Sequence, residues 1–217
     1  MNKSILVIAG ASGAGKTTVA THLLNSCQKF GFVRSITTRA PRGDSHDGEY
    51  IYTDREDFQR RAEAGELVEY MEYGDNYYGT PVSELDRIFG EGKTPLLILD
   101  IEGVKSLRKK EYAFSPVIVY IWDDLNVIEK RLYARDLSEP TADKLLSFLK
   151  RKEMNRRDYL NMPEIYNLFD AFVRNDGIES CADNIKKIFE RIPFDDVDLK
   201  EKGREIAIKL YKMAESK

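Results

Sequence analysis

An apolar run that leads directly into a glycine-rich loop constrains this chain more than any other feature. Residues Ile5 to Ala9 are continuously apolar, as expected for a strand buried on both faces of a sheet. Residues 10–17 read GASGAGKT and match the pattern GxxxxGK(S/T) at every position. A helical pattern from Thr17 to Cys27 follows. The loop therefore has the strand–loop–helix context of a phosphate-binding loop, which a glycine-rich turn without a nucleotide would not need.

The residue types in the loop suit a nucleotide. Its glycines let successive backbone N–H groups turn toward phosphate oxygens at the positive end of the following helix. Lys16 would reach the β- and γ-phosphates, and Thr17 would offer a hydroxyl to Mg²⁺, which takes few protein ligands. The predicted contacts to ATP and Mg²⁺ in this segment are Gly10, Ala11, Ser12, Gly13, Ala14, Gly15, Lys16, Thr17 and Thr18.

Composition narrows the class of partner. A formal net charge of −3 over 217 residues gives no general attraction to nucleic acid, so we expect a small phosphate ester. No run approaches membrane-spanning length and no signal-peptide pattern is present, so we expect no membrane partner. The two cysteines, Cys27 and Cys181, lack metal-site spacing and indicate a reducing compartment. We therefore expect a cytoplasmic protein that is a monomer or a homodimer.

Short apolar strands alternate with helical patterns, which predicts an α/β fold of three layers around a parallel sheet. The predicted core strands are 4–9, 95–100, 116–122 and 171–174. Asp123 or Asp124 would cap a helix that runs to about Arg135. A final core helix is expected near 180–192.

Two inserts interrupt this core. Segment 36–92 is rich in Arg, Tyr, Glu and Gly and predicts a substrate-binding lobe. Its expected small antiparallel sheet comprises 49–53, 67–73 and 76–80, with one helix at 56–64. Segment 135–160 is dense in Lys and Arg. Its charge alone favours a solvated helical face, whereas its position between two core strands favours a lid. The predicted divisions are a core of 1–35, 93–134 and 161–192, a lobe of 36–92, a lid of 135–160 and an amphipathic C-terminal helix within 193–217.

A second set of motifs lies in the first insert. It comprises S-x-T-T-R-x-P-R at Ser35 to Arg42, E-Y-x-Y at Glu49 to Tyr52, L-V-E-Y at Leu67 to Tyr70 and N-Y-Y-G-T at Asn76 to Thr80. On these motifs, over about residues 3–192, the chain resembles the guanylate kinase family. The resemblance implies a P-loop NTPase-type sheet with a nucleoside-monophosphate-binding lobe and a helical lid. It also implies Mg²⁺-dependent transfer of the γ-phosphate of ATP to GMP, with dGMP left open.

The chemistry of these residues agrees with that expectation. Two arginines in a stiff loop, Arg39 and Arg42, can grip a phosphate dianion with forked hydrogen bonds. Tyr50 and Tyr78 can add phenolic donors. Glu69 suits guanine, whose N1–H and 2-amino groups present two adjacent donors to a carboxylate. The resemblance implies further acceptor contacts from Ser35, Thr80 and Glu102, although the loop that carries Glu102 is two residues shorter than the family's.

The strand-end acid and the lid complete the predicted site. Asp100 ends a buried strand and would orient waters on Mg²⁺, or it caps the next helix. The resemblance places Arg131 and Arg135 near ATP and the transferring phosphoryl group, and Asn175 near the adenine. A further family arginine falls on Leu146, and Lys150 or Arg151 is expected to replace it. Catalytic roles are thus predicted for Lys16, Arg135 and Arg151.

Two alternatives remain open at this point. One is a kinase of another nucleoside monophosphate or of a sugar phosphate, which the shortened loop after Asp100 motivates. The other is a guanylate-kinase-like module that has lost catalysis and binds phosphorylated peptides. Only Leu146 in place of arginine supports the second alternative, and the intact loop opposes it.

Overall fold

Two β-sheets organise the chain in this computed structural model, which describes residues 3–41, 43, 47–73, 75–138, 140–190 and 197–216. The strands are β1 Lys3–Gly10, β2 Phe30–Phe32, β3 Ser35–Thr37, β4 Tyr50–Tyr52, β5 Leu67–Tyr73, β6 Asn76–Pro81, β7 Thr94–Ile98, β8 Phe114–Trp122 and β9 Ala171–Arg174. The helices are α1 Lys16–Ser26, α2 Arg55–Glu63, α3 Val82–Gly90, α4 Ile101–Arg108, α5 Leu125–Asp136, α6 Ala142–Ile165, α7 Ile178–Glu190 and α8 Val197–Glu215.

The larger sheet has five strands in the order β2-β7-β1-β8-β9. The pairs β2–β7 and β8–β9 are parallel. Residues Ile5 to Ala9 of β1 have no exposed surface, as the unbroken apolar run predicts. The expected α/β fold with a parallel core sheet is confirmed, and β9 has the predicted bounds.

The smaller sheet has the order β4-β3-β6-β5, and its expected antiparallel arrangement is wrong for one pair. β3 pairs antiparallel with β6, as β5 does, but β4 lies parallel to β3 with Ser35 opposite Tyr50. The physical reason is the long connection between β3 and β4, since parallel strands need a crossover whereas antiparallel strands can be joined by a tight turn. Ile36, Phe58 and Leu67 form the buried core beneath this sheet.

The helices of the second half differ in length from the sequence expectation. α6 has 24 residues, begins after the N-cap Thr141 and continues through Pro163, beyond the predicted end of the lid at 160. α8 is the expected C-terminal helix. Among residues 201–216, its buried positions are Gly203, Ala207, Leu210 and Ala214, so three of the four are small residues. The first four residues of the predicted C-terminal segment, 193–196, lie outside the described residues.

The chain divides into two compact units. Unit 1 comprises Met1–Val7 and Leu24–Pro116, and unit 2 comprises Ile8–Leu23 and Val117–Lys217. Unit 1 contains the smaller sheet, and unit 2 contains the glycine-rich loop with α5, α6 and α8. None of the helices that the structure describes is long and apolar enough to cross a membrane.

Candidate functional site

The glycine-rich loop joins β1 to α1 in unit 2, and its backbone conformation depends on glycine, as Gly13 and Gly15 illustrate. Gly13 has a φ of +84° and Gly15 a φ of +92°, a conformation that residues with a Cβ rarely adopt. A Cβ on Gly15 would lie 2.3 Å from Nδ2 of Asn175, and one on Gly13 would lie 2.8 Å from Cγ of Leu132. The glycines therefore permit both the turn and the close packing of the loop against its neighbours.

Lys16 lies across the loop at the start of α1. Its Nζ donates to the carbonyl of Gly10 at 2.8 Å and to that of Ala11 at 3.1 Å. Thr17 follows in the first helical turn, where backbone N–H groups and the helix dipole favour anions. This segment therefore combines backbone donors, an ammonium group and a hard oxygen ligand, which are the groups that a nucleoside triphosphate with Mg²⁺ requires.

Two buried asparagines hold the loop from outside. Asn155 of α6 accepts from the N–H of Ser12 at 2.8 Å and donates to the carbonyl of the same residue at 2.8 Å. Asn175, directly after β9, donates through Nδ2 to the carbonyl of Ala14 at 2.7 Å. Sequence reasoning assigned Asn175 to the adenine and missed Asn155. In the structure, both side chains fix the shape of the phosphate-binding loop.

Arg131 of α5 lies beside Asn175. Its Nη2 is 3.0 Å from Oδ2 of Asp123 and donates to the carbonyl of Asn175 at 3.2 Å. Its Nη1 is buried and has no hydrogen-bond partner among the described residues. A buried guanidinium nitrogen is costly to leave unpaired, so Arg131 has a donor suited to an anionic or carbonyl group of a ligand.

The two predicted lid arginines meet at one carboxylate. Arg135 Nε and Arg151 Nη1 lie 2.8 Å and 3.0 Å from carboxylate oxygens of Asp136. Partial burial tends to raise the pKa of Asp136, but the two arginines outweigh it and hold the pKa below its usual range. Leu146 and Lys150 are exposed. The structure thus brings Arg151, rather than Lys150, together with Arg135.

A β-bulge in unit 1 turns Glu69 inward. Leu67 of β5 pairs with Pro81 of β6. The next pair joins Tyr70 to Gly79, so β5 carries one residue more than β6 between the two pairs. A bulge redirects a side chain that strict alternation would place on the other face. Glu69 is 3% exposed as a result.

The Glu69 carboxylate lies in a narrow buried space. Its Oε1 accepts from the hydroxyl of Thr80 at 2.7 Å. Its Oε2 would be 3.3 Å from a Cβ on Gly103, so a side chain at that point of α4 would crowd the carboxylate. Burial raises the pKa of Glu69 to about 7, and the negative charge of Asp100 adds to the rise, while Thr80 and Lys110 oppose it. A desolvated carboxylate of this kind recognises paired hydrogen-bond donors.

The two acids after β7 have different surroundings. Asp100 is the N-cap of α4 and accepts from the N–H of Gly103 at 2.8 Å. Glu102 is exposed and pairs with Lys105 one helical turn on, at 2.7 Å. The structure therefore keeps Asp100 near Glu69 through Gly103, whereas Glu102 faces solvent on α4.

Arg39 lies within a cluster of aromatic side chains in unit 1. Its guanidinium carbon is 5.1 Å from the ring centre of Tyr50 and 5.9 Å from that of Tyr52. Asp47 lies 3.8 Å from Arg39 and accepts a hydrogen bond from the hydroxyl of Tyr52. Tyr78 meets Tyr50 edge to face, with ring centres 6.3 Å apart. The cluster therefore places a guanidinium beside phenols, and both kinds of group can donate hydrogen bonds to an anion.

Three other residues that were predicted to contact the acceptor have different positions. Ser35 begins β3 opposite Tyr50. Thr80 is buried beside Glu69. Arg42 lies outside the described residues. The structure thus groups Arg39, Tyr50 and Tyr78, and separately groups Glu69 with Thr80.

The candidate oxygen donors for Mg²⁺ are Thr17 in unit 2 and Asp100 in unit 1. Among the described residues, no group of three or more His, Cys, Asp or Glu side chains is placed to bind a metal. The Thr17 hydroxyl and the Asp100 carboxylate are each hard oxygen ligands of the kind that Mg²⁺ prefers. Cys27 and Cys181 are free thiols, and burial raises the pKa of Cys181 to about 12.

Sequence reasoning missed three residues that position the site: Asn155, Asp136 and Tyr112. Asn155 is a single amide within a highly charged segment, and Asp136 follows a predicted arginine directly. Tyr112 donates to the carbonyl of Val68 at 2.7 Å and so supports the bulge. The spacing of four between Arg151 and Asn155, which puts both on one helix face, was the available signal for Asn155.

Comparison with known proteins identifies the relatives of this chain. A family model described as guanylate kinase matches residues 2–192. The guanylate kinase of Lactobacillus johnsonii is 33% identical over 191 residues, which cover 86% of this chain and 87% of that protein. Guanylate kinase 1 of Oryza sativa subsp. japonica is 33% identical over 186 residues, or 84% of this chain but 47% of that protein.

A solved structure agrees with these matches. The crystal structure of guanylate kinase from Anaplasma phagocytophilum superposes with a TM-score of 0.61 at 25% sequence identity. The superposition covers 92% of this chain and 93% of the other. The match therefore extends over the fold of both units.

Proposed function

This chain belongs to the guanylate kinase family, and from that premise we propose that it transfers the γ-phosphate of ATP to GMP, giving ADP and GDP. The buried carboxylate of Glu69 carries the guanine assignment. Guanine offers its N1–H and 2-amino groups side by side to a carboxylate, and adenine has no such pair. The hydroxyl of Thr80 orients the same carboxylate from within the sheet.

Arg39, Arg42, Tyr50 and Tyr78 bind the phosphate of GMP in this proposal. Arg39 has a planar, permanently charged guanidinium that matches phosphate oxygens, and the phenols of Tyr50 and Tyr78 lie on its side of the smaller sheet. Ser35 and Glu102 are proposed as further acceptor contacts. Since Glu102 is exposed, we assign it a peripheral contact rather than the recognition of the base.

The donor ATP binds to unit 2. The N–H groups of the loop from Gly10 to Thr18 receive the phosphates, and Lys16 moves from its loop carbonyls to the β- and γ-phosphates. Arg131 supplies its Nη1, which is buried and unpaired among the described residues. Asn175 is proposed as a contact near the adenine. Thr17 would ligate Mg²⁺, and Asp100 would orient its waters. When bound, Mg²⁺ neutralises charge on the β- and γ-phosphate oxygens.

Transfer needs no covalent intermediate. The reaction requires an acceptor phosphate oxygen in line with the γ-phosphorus, and the energetic work is to position the reactants and stabilise charge. Lys16, Arg135 and Arg151 stabilise the charge on the equatorial oxygens of the transferring group. Arg135 and Arg151 are held ready for this by Asp136.

The test is ADP formation with ATP and Mg²⁺ against GMP, dGMP, AMP, CMP, UMP and ribose bisphosphate at matched concentrations. We expect strong turnover on GMP and no turnover on AMP, CMP or UMP, with activity on dGMP deciding whether the ribose 2′-hydroxyl is read. Lys16→Ala is the control for the mechanism and should lose at least about 10³-fold in kcat.

Each other result contradicts a defined part of the proposal. Turnover on a different acceptor would keep the kinase and remove the guanine assignment. Absence of turnover on every acceptor, with retained binding of phosphorylated peptides, would favour the non-catalytic module. Near-normal transfer by Lys16→Ala would overturn the role of the loop.

We propose the cytoplasm as the place of action, because both cysteines are free thiols and the substrates are small metabolites. A monomer or a homodimer is consistent with a chain of 217 residues.

A further inference from the structure

One face of α6 carries three polar side chains at a spacing of four residues. Arg151 pairs with Asp136 at the end of α5. Asn155 binds Ser12 of the phosphate-binding loop, and the hydroxyl of Tyr159 donates to the carbonyl of Asp123 at 2.8 Å. Residues four apart lie above one another on a helix, so these side chains form one continuous seam.

Asn155 makes the most demanding contact of the three. It is 2% exposed, and its amide bonds both the N–H and the carbonyl of Ser12. An amide side chain can satisfy a donor and an acceptor of one residue at once through two different atoms, whereas an ionised carboxylate can only accept. We propose that Asn155 is a positioning residue that fixes the phosphate-binding loop to α6 and thereby sets the position of Arg151. This inference rests on the proposed kinase function.

The loop needs such support because its useful groups are backbone donors. A peptide group that can rotate points its N–H away from a phosphate as readily as toward it. Asn155 immobilises Ser12, and Asn175 immobilises the Ala14 carbonyl from the other side of the loop. The N–H of Ala14 meanwhile donates to the carbonyl of Ala11 at 3.1 Å. The loop backbone is therefore preorganised before any phosphate arrives.

The contact between Asn155 and Ser12 also fixes the position of Arg151. One helical turn separates Arg151 from Asn155, a rise of about 6 Å along a rigid element. Because Asn155 fixes that turn to the loop, the Arg151 backbone keeps a constant offset from the phosphate-binding residues. Arg151 then reaches Asp136, where Arg135 also binds. A displacement of about 1 Å in such an arrangement is enough to cost about 10²-fold in rate.

The first experiment compares steady-state kinetics of Asn155→Leu with those of Asn161→Leu. Asn161 lies on the same helix and is exposed, so its variant controls for the change in helix composition. For Asn155→Leu we expect kcat to fall by 10- to 100-fold and the KM for ATP to rise about tenfold. The KM for GMP should stay within twofold, because the proposed GMP contacts lie in unit 1. Wild-type kinetics for Asn155→Leu would overturn the inference.

Asn155→Asp keeps the inference testable if the leucine variant does not fold. Aspartate has nearly the same shape and retains the acceptor for the Ser12 N–H, but it cannot donate to the Ser12 carbonyl when ionised. We expect a raised KM for ATP and an unchanged KM for GMP, with a cooperative thermal transition as proof of folding. An equal rise in both KM values would indicate general loss of structure and would overturn the positioning role.

A double-mutant cycle with Arg151→Ala tests the second half of the inference. If Asn155 acts on transfer through Arg151, the loss of kcat in the double variant is smaller than the product of the two single losses. Losses that multiply would overturn the link to Arg151. Failure of the proposed function is distinguished at the outset, since it would appear as absence of GMP turnover by the unaltered chain.

Discussion

The two units use different parts of the polypeptide for binding. In unit 2 the candidate phosphate contacts are mostly backbone N–H groups, and side chains such as Asn155 and Asn175 serve to hold that backbone. In unit 1 the candidate contacts are side chains, above all Glu69 and Arg39, and the backbone serves to aim them, as the bulge in β5 does. This difference matches the proposed ligands, which are the phosphates of ATP in unit 2 and a particular nucleoside monophosphate in unit 1.

This difference teaches where specificity resides. A backbone cradle recognises phosphate and is indifferent to the base, so many nucleotide enzymes can share the loop motif. A buried polar side chain can discriminate between bases, because a wrong base leaves a desolvated polar group unpaired, and we propose this role for Glu69. Substitutions in unit 2 should therefore affect use of ATP, and substitutions in unit 1 should affect the choice of acceptor.

Among substitutions that keep every predicted catalytic side chain, the largest effect should come from Gly15→Ala in unit 2. The added Cβ would lie 2.3 Å from the Asn175 amide at a φ of +92°, so both the loop and the Asn175 contact must move. We expect kcat/KM for ATP to fall by at least about 10²-fold, with the KM for GMP within twofold.

Gly92→Ala is the matched control for Gly15→Ala. Gly92 has a φ of +71° with nothing near its missing Cβ, so the variant carries the backbone strain without the close contact. It should cost about 1 kcal/mol of stability and leave the kinetics unchanged. Equal kinetic losses in both variants would mean that strain, rather than the fit of the loop, controls ATP use.

The next effect should come from Glu69→Gln in unit 1. Glutamine retains the shape and can still bond Thr80. Its amide NH₂ group, however, is a donor and would face the N1–H and 2-amino donors of guanine. We expect the KM for GMP to rise about 10²-fold and the preference for GMP over AMP to collapse, with the KM for ATP unchanged. Unchanged discrimination among monophosphates would mean that the base is recognised elsewhere in the chain.

The contrast between the units also explains what the sequence could predict. The loop was predictable because its conformation demands glycine at fixed positions between a strand and a helix, all within one short segment. β9 was predictable to the residue because a short apolar run sits between turn residues. These features depend on local sequence, as does the cap of α4 by Asp100.

Features that depend on distant contacts were not predictable. Asn155 bonds a residue 143 positions away, and its spacing from Arg151 indicates a shared helix face but does not identify that partner. The inward turn of Glu69 depends on a bulge that breaks the alternation on which strand patterns rest. The parallel pairing of β4 likewise follows from the route of the chain after β3. The catalytic roles of Lys16, Arg135 and Arg151 stay predictions until the variants are measured.

The kinetics of the two substrates should depend differently on pH, because Glu69 lies in unit 1 and not in unit 2. Burial raises the pKa of Glu69 to about 7, so the carboxylate that we propose as the guanine contact forms only as the pH rises through that value. We expect kcat/KM for GMP to increase about tenfold between pH 6 and pH 8. Because the folded state holds this proton more tightly than the unfolded chain does, Glu69 also makes the free energy of unfolding fall as the pH rises from about 4.5 to about 7.

Glu69→Gln provides the control for this profile. The phosphate of GMP itself titrates near pH 6, and the glutamine variant retains only that dependence. A profile with the same inflection near pH 7 in both proteins would assign the titration to another group. For ATP at saturating GMP, we expect the component attributed to Glu69 to be absent.

The smallest effect should come from Tyr112→Phe, which tests how unit 1 holds its backbone. The hydroxyl of Tyr112 donates to the carbonyl of Val68 in the bulge, next to Glu69, while its ring stacks on Phe114 at 4.7 Å. The variant keeps the stacking and removes one hydrogen bond, worth about 1 kcal/mol. We expect the KM for GMP to rise by no more than about fivefold. The control is Tyr70→Phe, at an exposed position of β5, which should leave the KM for GMP unchanged. In this interpretation one hydroxyl supports the bulge in unit 1, as two asparagines support the loop in unit 2. A rise in the KM for GMP as large as that of Glu69→Gln would show that the bulge itself, rather than the carboxylate, determines acceptor choice.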